Sequence, residues 1–127
     1  MKLTYKQIYN AINPLMELSN KEMDYGLALK ISRNLREIEK HYQDYQEELM
    51  GLQNEYIDRD ENNNPIMLDE NRVKIKDGLA DELKGKVSTL DNFEVNANVY
   101  MLREDDFVDL KITPSTLMGI DFLIDDE

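Results

Sequence analysis

The chain has 127 residues, 41% apolar and 33% charged, with a formal net charge of −12. The apolar share excludes a disordered composition. The charge repels nucleic acid and anionic membrane surfaces, and the absence of cysteine excludes disulfides and thiolate metal sites.

A chain of this length is expected to form one domain with its own core. The pattern divides it into a helical hairpin over residues 1–57 and a small α+β part over 58–127. A reducing compartment is expected from the missing cysteines. Met1-Lys2-Leu3-Thr4 leads straight into a polar helical pattern, so no signal peptide is expected, and no apolar run has the length of a membrane span.

Thr4-x-x-Gln7 is a capping box that starts the first helix, with Leu3 and Ile8 as its hydrophobic staple. Tyr5, Ile8, Ala11, Ile12, Leu15 and Met16 form its apolar face. Pro14 removes one helical hydrogen bond and clashes with the preceding turn, which predicts a kink or an early end near Asn13.

Ser19-x-x-Glu22 has the form of a second capping box, with Leu18 and Met23 as its staple. From there a long amphipathic helix is expected. Ala28, Ile31, Leu35, Ile38, Tyr42, Tyr45, Leu49, Leu52 and Tyr56 alternate at steps of three and four. That stretch would be roughly 43 Å long. A coiled-coil seam is one use for such a stripe. Tyrosine at three core positions and the lack of Lys/Glu pairing at the flanks favour packing inside the domain.

Asp58 to Pro65 is rich in Asp and Asn and predicts a turn. Ile66 to Leu68 and Val73 to Lys76 read as two short strands around a second turn. A third helix would carry Leu79, Leu83, Val87 and Leu90. From Phe93 to Met101 the period becomes two, which predicts a half-buried strand. Thr113-Pro114 announces a last helix, capped by Thr and stapled by Ile112 and Leu117. Its apolar side is expected at Leu117, Met118, Ile120, Leu123 and Ile124, ahead of an acidic tail at Asp125, Asp126 and Glu127.

The expected class is therefore α+β: an N-terminal helical hairpin with one long amphipathic helix, a small mainly antiparallel sheet and a short C-terminal helix.

No catalytic constellation is visible. His41, the one histidine, reads as an exposed helical residue with no identifiable nucleophile or orienting group. Asp58, Asp60 and Asn62 match the first ligand positions of a calcium loop. Asn63 stands where glycine is wanted and Asp69 where glutamate is wanted, so a turn is the preferred reading over a metal-dependent site. No catalytic residue, metal or cofactor is assigned.

The more informative residues are acidic. Glu37, Asp44, Glu48 and Glu55 lie at steps of seven, four and seven on one face of the long helix, with His41 among them. Arg33, Arg36 and Lys40 cluster on another face. Glu104, Asp105 and Asp106 form an acidic loop. Either these are solvated surface, or the seven carboxylates are a partner-binding surface for a basic protein.

The order of elements resembles a group of small uncharacterised proteins of phages and prophages of Gram-positive bacteria. The resemblance rests on the opening helix Tyr5 to Leu18, the long charged helix through Glu48-Leu49 and the turn at Asp60 to Pro65. It extends over the helix around Leu83, the strand Glu94 to Val99 and the segment Ile112-Thr113-Pro114 to Phe122-Leu123-Ile124. It implies a phage accessory protein made in the host bacterial cytoplasm. Acidity, small size and the lack of catalytic groups then predict a monomer or dimer that binds a host or phage protein, with no direct nucleic acid binding and no membrane association. The leading expectation is an inhibitor of a bacterial defence component. The alternative is a virion structural or assembly protein that uses the long helix for packing.

Overall fold

Thr4 begins the first helix as its sequence dictates: its hydroxyl accepts from Gln7 N at 3.1 Å while Gln7 Oε1 accepts from Thr4 N at 2.9 Å. The structure is a computed structural model and describes residues 1–125; Asp126 and Glu127 of the expected acidic tail lie outside them. The elements are β1 (Lys2–Thr4), α1 (Tyr5–Ser19), α2 (Tyr25–Tyr56), α3 (Ala80–Asp91), β2 (Glu94–Asn96), β3 (Leu102–Arg103), α4 (Pro114–Ile120) and β4 (Ile124–Asp125). Short 3-10 helices cover Glu104–Phe107 and Asp121–Leu123. The class is mixed α+β, with a long α2, a small antiparallel pair and a short C-terminal helix.

The chain divides into two compact units, Met1–Gln43 with Phe93–Glu127, and Asp44–Asn92. This partition differs from the expected division at residue 57, because the second half of α2 belongs with α3 rather than with α1.

In the first unit, β1 pairs antiparallel with β2 in the register Lys2↔Asn96, Leu3↔Val95, Thr4↔Glu94. β3 pairs parallel with β4. The core is built from Leu3, Ile8, Leu15 and Leu18 at the N-terminus, Ile31 and Ile38 of α2, and Leu102, Ile120 and Leu123. Leu3 and Ile8, the expected staple, are both buried in it.

Three local expectations are corrected here. Of the kink or early end expected near Asn13, the early end does not occur: α1 runs through Pro14 to Ser19. Pro14 offers Asn10 O no N–H, and at that point α4 presents Gly119. A Cβ on Gly119 would lie 2.8 Å from Asn10 O and 2.4 Å from Pro14 Cγ, so the two backbones approach where only glycine fits. Ser19 does not cap α2: it closes α1 by donating its hydroxyl to Met16 O at 2.6 Å, and α2 starts at Tyr25. In α4 the cap and N1 proline hold, but Met118 points outward at 78% exposure and Thr116 is buried in its place.

The expected strand from Phe93 to Met101 is reduced to Glu94–Asn96. Its backbone partner, β1, is equally short. Phe93 remains exposed and stacks on Tyr5 with ring centroids 6.0 Å apart.

The second unit holds the end of α2, α3 and an irregular antiparallel connection. The two expected short strands occur only as the isolated bridges Met67↔Val73 and Ile57↔Ile75, and a further bridge joins Arg59 and Pro65. Three backbone bonds close a ring: Asp58 N donates to Lys74 O, Lys74 N to Ile66 O and Ile66 N to Asp58 O, at 2.7–2.9 Å. Tyr45 is buried against α3 and donates its hydroxyl to Asp91 Oδ1 at 2.6 Å. Lys86 Nζ lies 5.3 Å from the ring centroid of buried Tyr56. Tyr45 and Tyr56 of the stripe thus serve this unit's own core, while Tyr42 is half-buried in the first unit; Leu49 and Leu52 are half-buried.

Candidate functional site

The acidic residues of the chain separate into those that hold the fold together and those without an internal partner. Glu37 belongs to the first kind. Its side chain is 15% exposed, and Oε2 accepts the Asn98 N–H at 2.8 Å and lies 3.3 Å from His41 Nε2. The Asn98 N–H holds the carboxyl below the usual glutamate range; burial opposes this, while His41 and Lys40 reinforce it. Glu37 is therefore removed from the expected partner-binding ridge. His41 is corrected as well: its side chain is 11% exposed and Glu37 orients it.

Beside Glu37, Asn34 is fully buried. Its Oδ1 accepts from Tyr100 N at 2.7 Å and its Nδ2 donates to Tyr100 O at 2.8 Å. Arg33, one of the expected basic cluster, sits 5.7 Å from the Tyr100 ring centroid. The segment after β2 thus completes its backbone bonding on helix side chains instead of a strand. Sequence reasoning left Asn34 at the flank of the stripe. Its spacing of three and four from Ile31 and Ile38 was the available signal.

The turn expected at Asp58 to Pro65 is closed by its own side chains. Asp60 Oδ1 accepts from Asn62 N at 2.9 Å and Asn64 N at 3.0 Å, and Asn63 adopts φ 63°. Asp58 pairs with Lys74 at 3.3 Å, which raises the Lys74 pKa together with Asp77. Among the described residues no three His, Asp or Glu side chains converge to hold a metal ion.

Asp44, Glu48 and Glu55 are exposed on the part of α2 that belongs to the second unit. Glu104 is exposed at the start of its 3-10 helix. Asp105 and Asp106 differ from these because they face a cleft.

The cleft lies within the first unit and has a volume of about 630 Å³. The loop before α2 and its first turns contribute Glu22, Met23, Asp24, Leu27 and Lys30. The other wall comes from Asp105, Asp106, Asp109 and Leu110. Asp106 also caps its own loop, accepting from Arg103 N at 2.9 Å. The side chains of Glu22, Asp24, Asp105 and Asp109 make no hydrogen bond or ion pair within the described residues. The N-terminus of α2, where Asp24 O accepts from Ala28 N at 2.9 Å, favours carboxylates on that side.

Five carboxylates thus line one cleft against a single lysine. They are spread along it, which suits several separated cationic groups better than one ion. Glu22, Asp24 and Asp109 were not marked by sequence, because their meeting with Asp105 is a product of the fold.

Among the described residues no helix is long and apolar enough to cross a membrane. No family model matches the chain, and neither a curated protein nor a solved structure matches it.

Proposed function

We propose that this chain is a non-catalytic binding protein that engages a basic protein surface through the cleft of Glu22, Asp24, Asp105, Asp106 and Asp109. The observation that carries the reading is that four of these carboxylates, Glu22, Asp24, Asp105 and Asp109, have no internal hydrogen-bond or ion-pair partner among the described residues. Like charges held together repel, and a cationic partner relieves that repulsion. Such complementarity accelerates encounter and selects partners. The resemblance to phage and prophage proteins supports the fuller form: a phage accessory protein that binds a host protein in the bacterial cytoplasm and inhibits a defence component.

Affinity capture from a Gram-positive host lysate tests this. The wild-type chain retains a protein that the triple variant Asp24→Lys, Asp105→Lys, Asp109→Lys loses, and raised salt releases it. Equal retention by the triple variant would overturn the cleft as the contact surface.

A second reading, virion assembly, is favoured by one observation: Met50 on α2 is 62% exposed beside half-buried Leu49 and Leu52. Sedimentation separates the two. A stable ring or higher oligomer supports assembly, and a monomer or dimer supports the binding protein.

A further inference from the structure

The cleft is not lined by charge alone. Met23, Leu27 and Leu110 share it with the carboxylates, and Met23 and Leu110 are only half-buried. Lys30 also faces it, without an internal ion pair among the described residues. A purely cationic occupant would meet the Lys30 ammonium and leave the apolar lining wet. Solvent-exposed ion pairs add little affinity individually, whereas burial of an apolar side chain adds more.

We propose, on the basis of the functional reading above, that the cleft takes a linear basic segment with one large apolar side chain between lysines or arginines. The apolar side chain enters among Met23, Leu27 and Leu110. The flanking cations meet Glu22 and Asp24 on one wall and Asp105 and Asp109 on the other. A volume of about 630 Å³ accommodates such an anchor together with the stems of its neighbours.

Calorimetry on the full chain with three synthetic peptides tests this: Lys-Arg-Leu-Arg-Lys, the same peptide with Gly for Leu, and Gln-Gln-Leu-Gln-Gln. The leucine peptide binds on the order of 10-fold tighter than the glycine peptide, and the glutamine peptide does not bind. Leu110→Ser abolishes the difference between the two basic peptides. Equal affinity of wild type for both basic peptides overturns the anchor and leaves the acidic-cleft reading standing. No binding of either basic peptide overturns both. The peptide comparison uses only the wild-type chain, so it holds whether or not the Leu110 variant folds.

Discussion

Asn34 satisfies both backbone hydrogen bonds of Tyr100, donating to its carbonyl at 2.8 Å and accepting from its N–H at 2.7 Å. A helix side chain thereby stands where the next strand would be. Asn34 itself is fully buried, so losing its amide leaves the two backbone groups of Tyr100 without their partner. Asn34→Leu keeps the size and is expected to cost about 3 kcal/mol in urea unfolding. Asn34→Asp restores only the acceptor and turns an oxygen toward the Tyr100 carbonyl, so it is expected to be no better. Unchanged stability of Asn34→Leu would contradict this role.

Glu37 makes the neighbouring attachment at Asn98 sensitive to acid. Its native pKa lies below the ordinary glutamate value of 4.5, chiefly because of the Asn98 N–H. A carboxyl whose pKa is depressed on folding stabilises the native state above the unfolded pKa. That contribution is lost as pH falls through the native pKa. Near neutral pH, Glu37→Gln is expected to be about 1 kcal/mol less stable than wild type. The gap narrows below about pH 4.5 and closes beneath the native pKa. Unfolding midpoints measured across that range for both proteins check the sign; a gap that widens in acid would contradict it.

Gly119 is expected to resist replacement where other helical glycines do not. Alanine at an open helical site stabilises by up to about 1 kcal/mol, and Gly51 and Gly85 have nothing within 4 Å of an added Cβ. At Gly119 the same Cβ would meet Pro14 and Asn10 O, and overpacking of this kind costs about 1–3 kcal/mol. Melting temperatures of the three alanine variants are therefore expected to move in opposite directions: up for Gly51→Ala and Gly85→Ala, down for Gly119→Ala.

The parts of this fold that were legible in sequence are those closed by near neighbours. Thr4 with Gln7 and Thr113 with Pro114 set helix starts because cap and partner lie within one turn. Ser19-x-x-Glu22 carries the same local pattern, yet Ser19 bonds back to Met16 as α1 continues. The tyrosines of the stripe announced a polar end without naming it, and for Tyr45 it is Asp91. Asn34 and Glu37 answer backbone groups of Tyr100 and Asn98, more than sixty residues away. No local pattern shows that pairing. The acidic loop at Asp105 and Asp106 was visible as a charge run. Its meeting with Glu22, Asp24 and Asp109 required tertiary structure.

The two units are expected to differ in local stability. Among the described residues of the second unit, only Tyr45 and Tyr56 are buried apolar side chains, and α3 buries none. The first unit holds all the other buried apolar residues. Native-state hydrogen exchange should show α3 amides opening at lower free energy than those of α1. Equal protection of α1 and α3 would contradict the uneven core.

The acidic cleft is the account's central claim, and a nuclear magnetic resonance titration of the full chain with Lys-Arg-Leu-Arg-Lys tests it most directly. The predicted result is a set of saturable shift changes at Glu22 to Lys30 and Asp105 to Leu110, with Asp44, Glu48 and Glu55 unmoved. Changes centred on Asp44, Glu48 and Glu55, or none at either place, would contradict it.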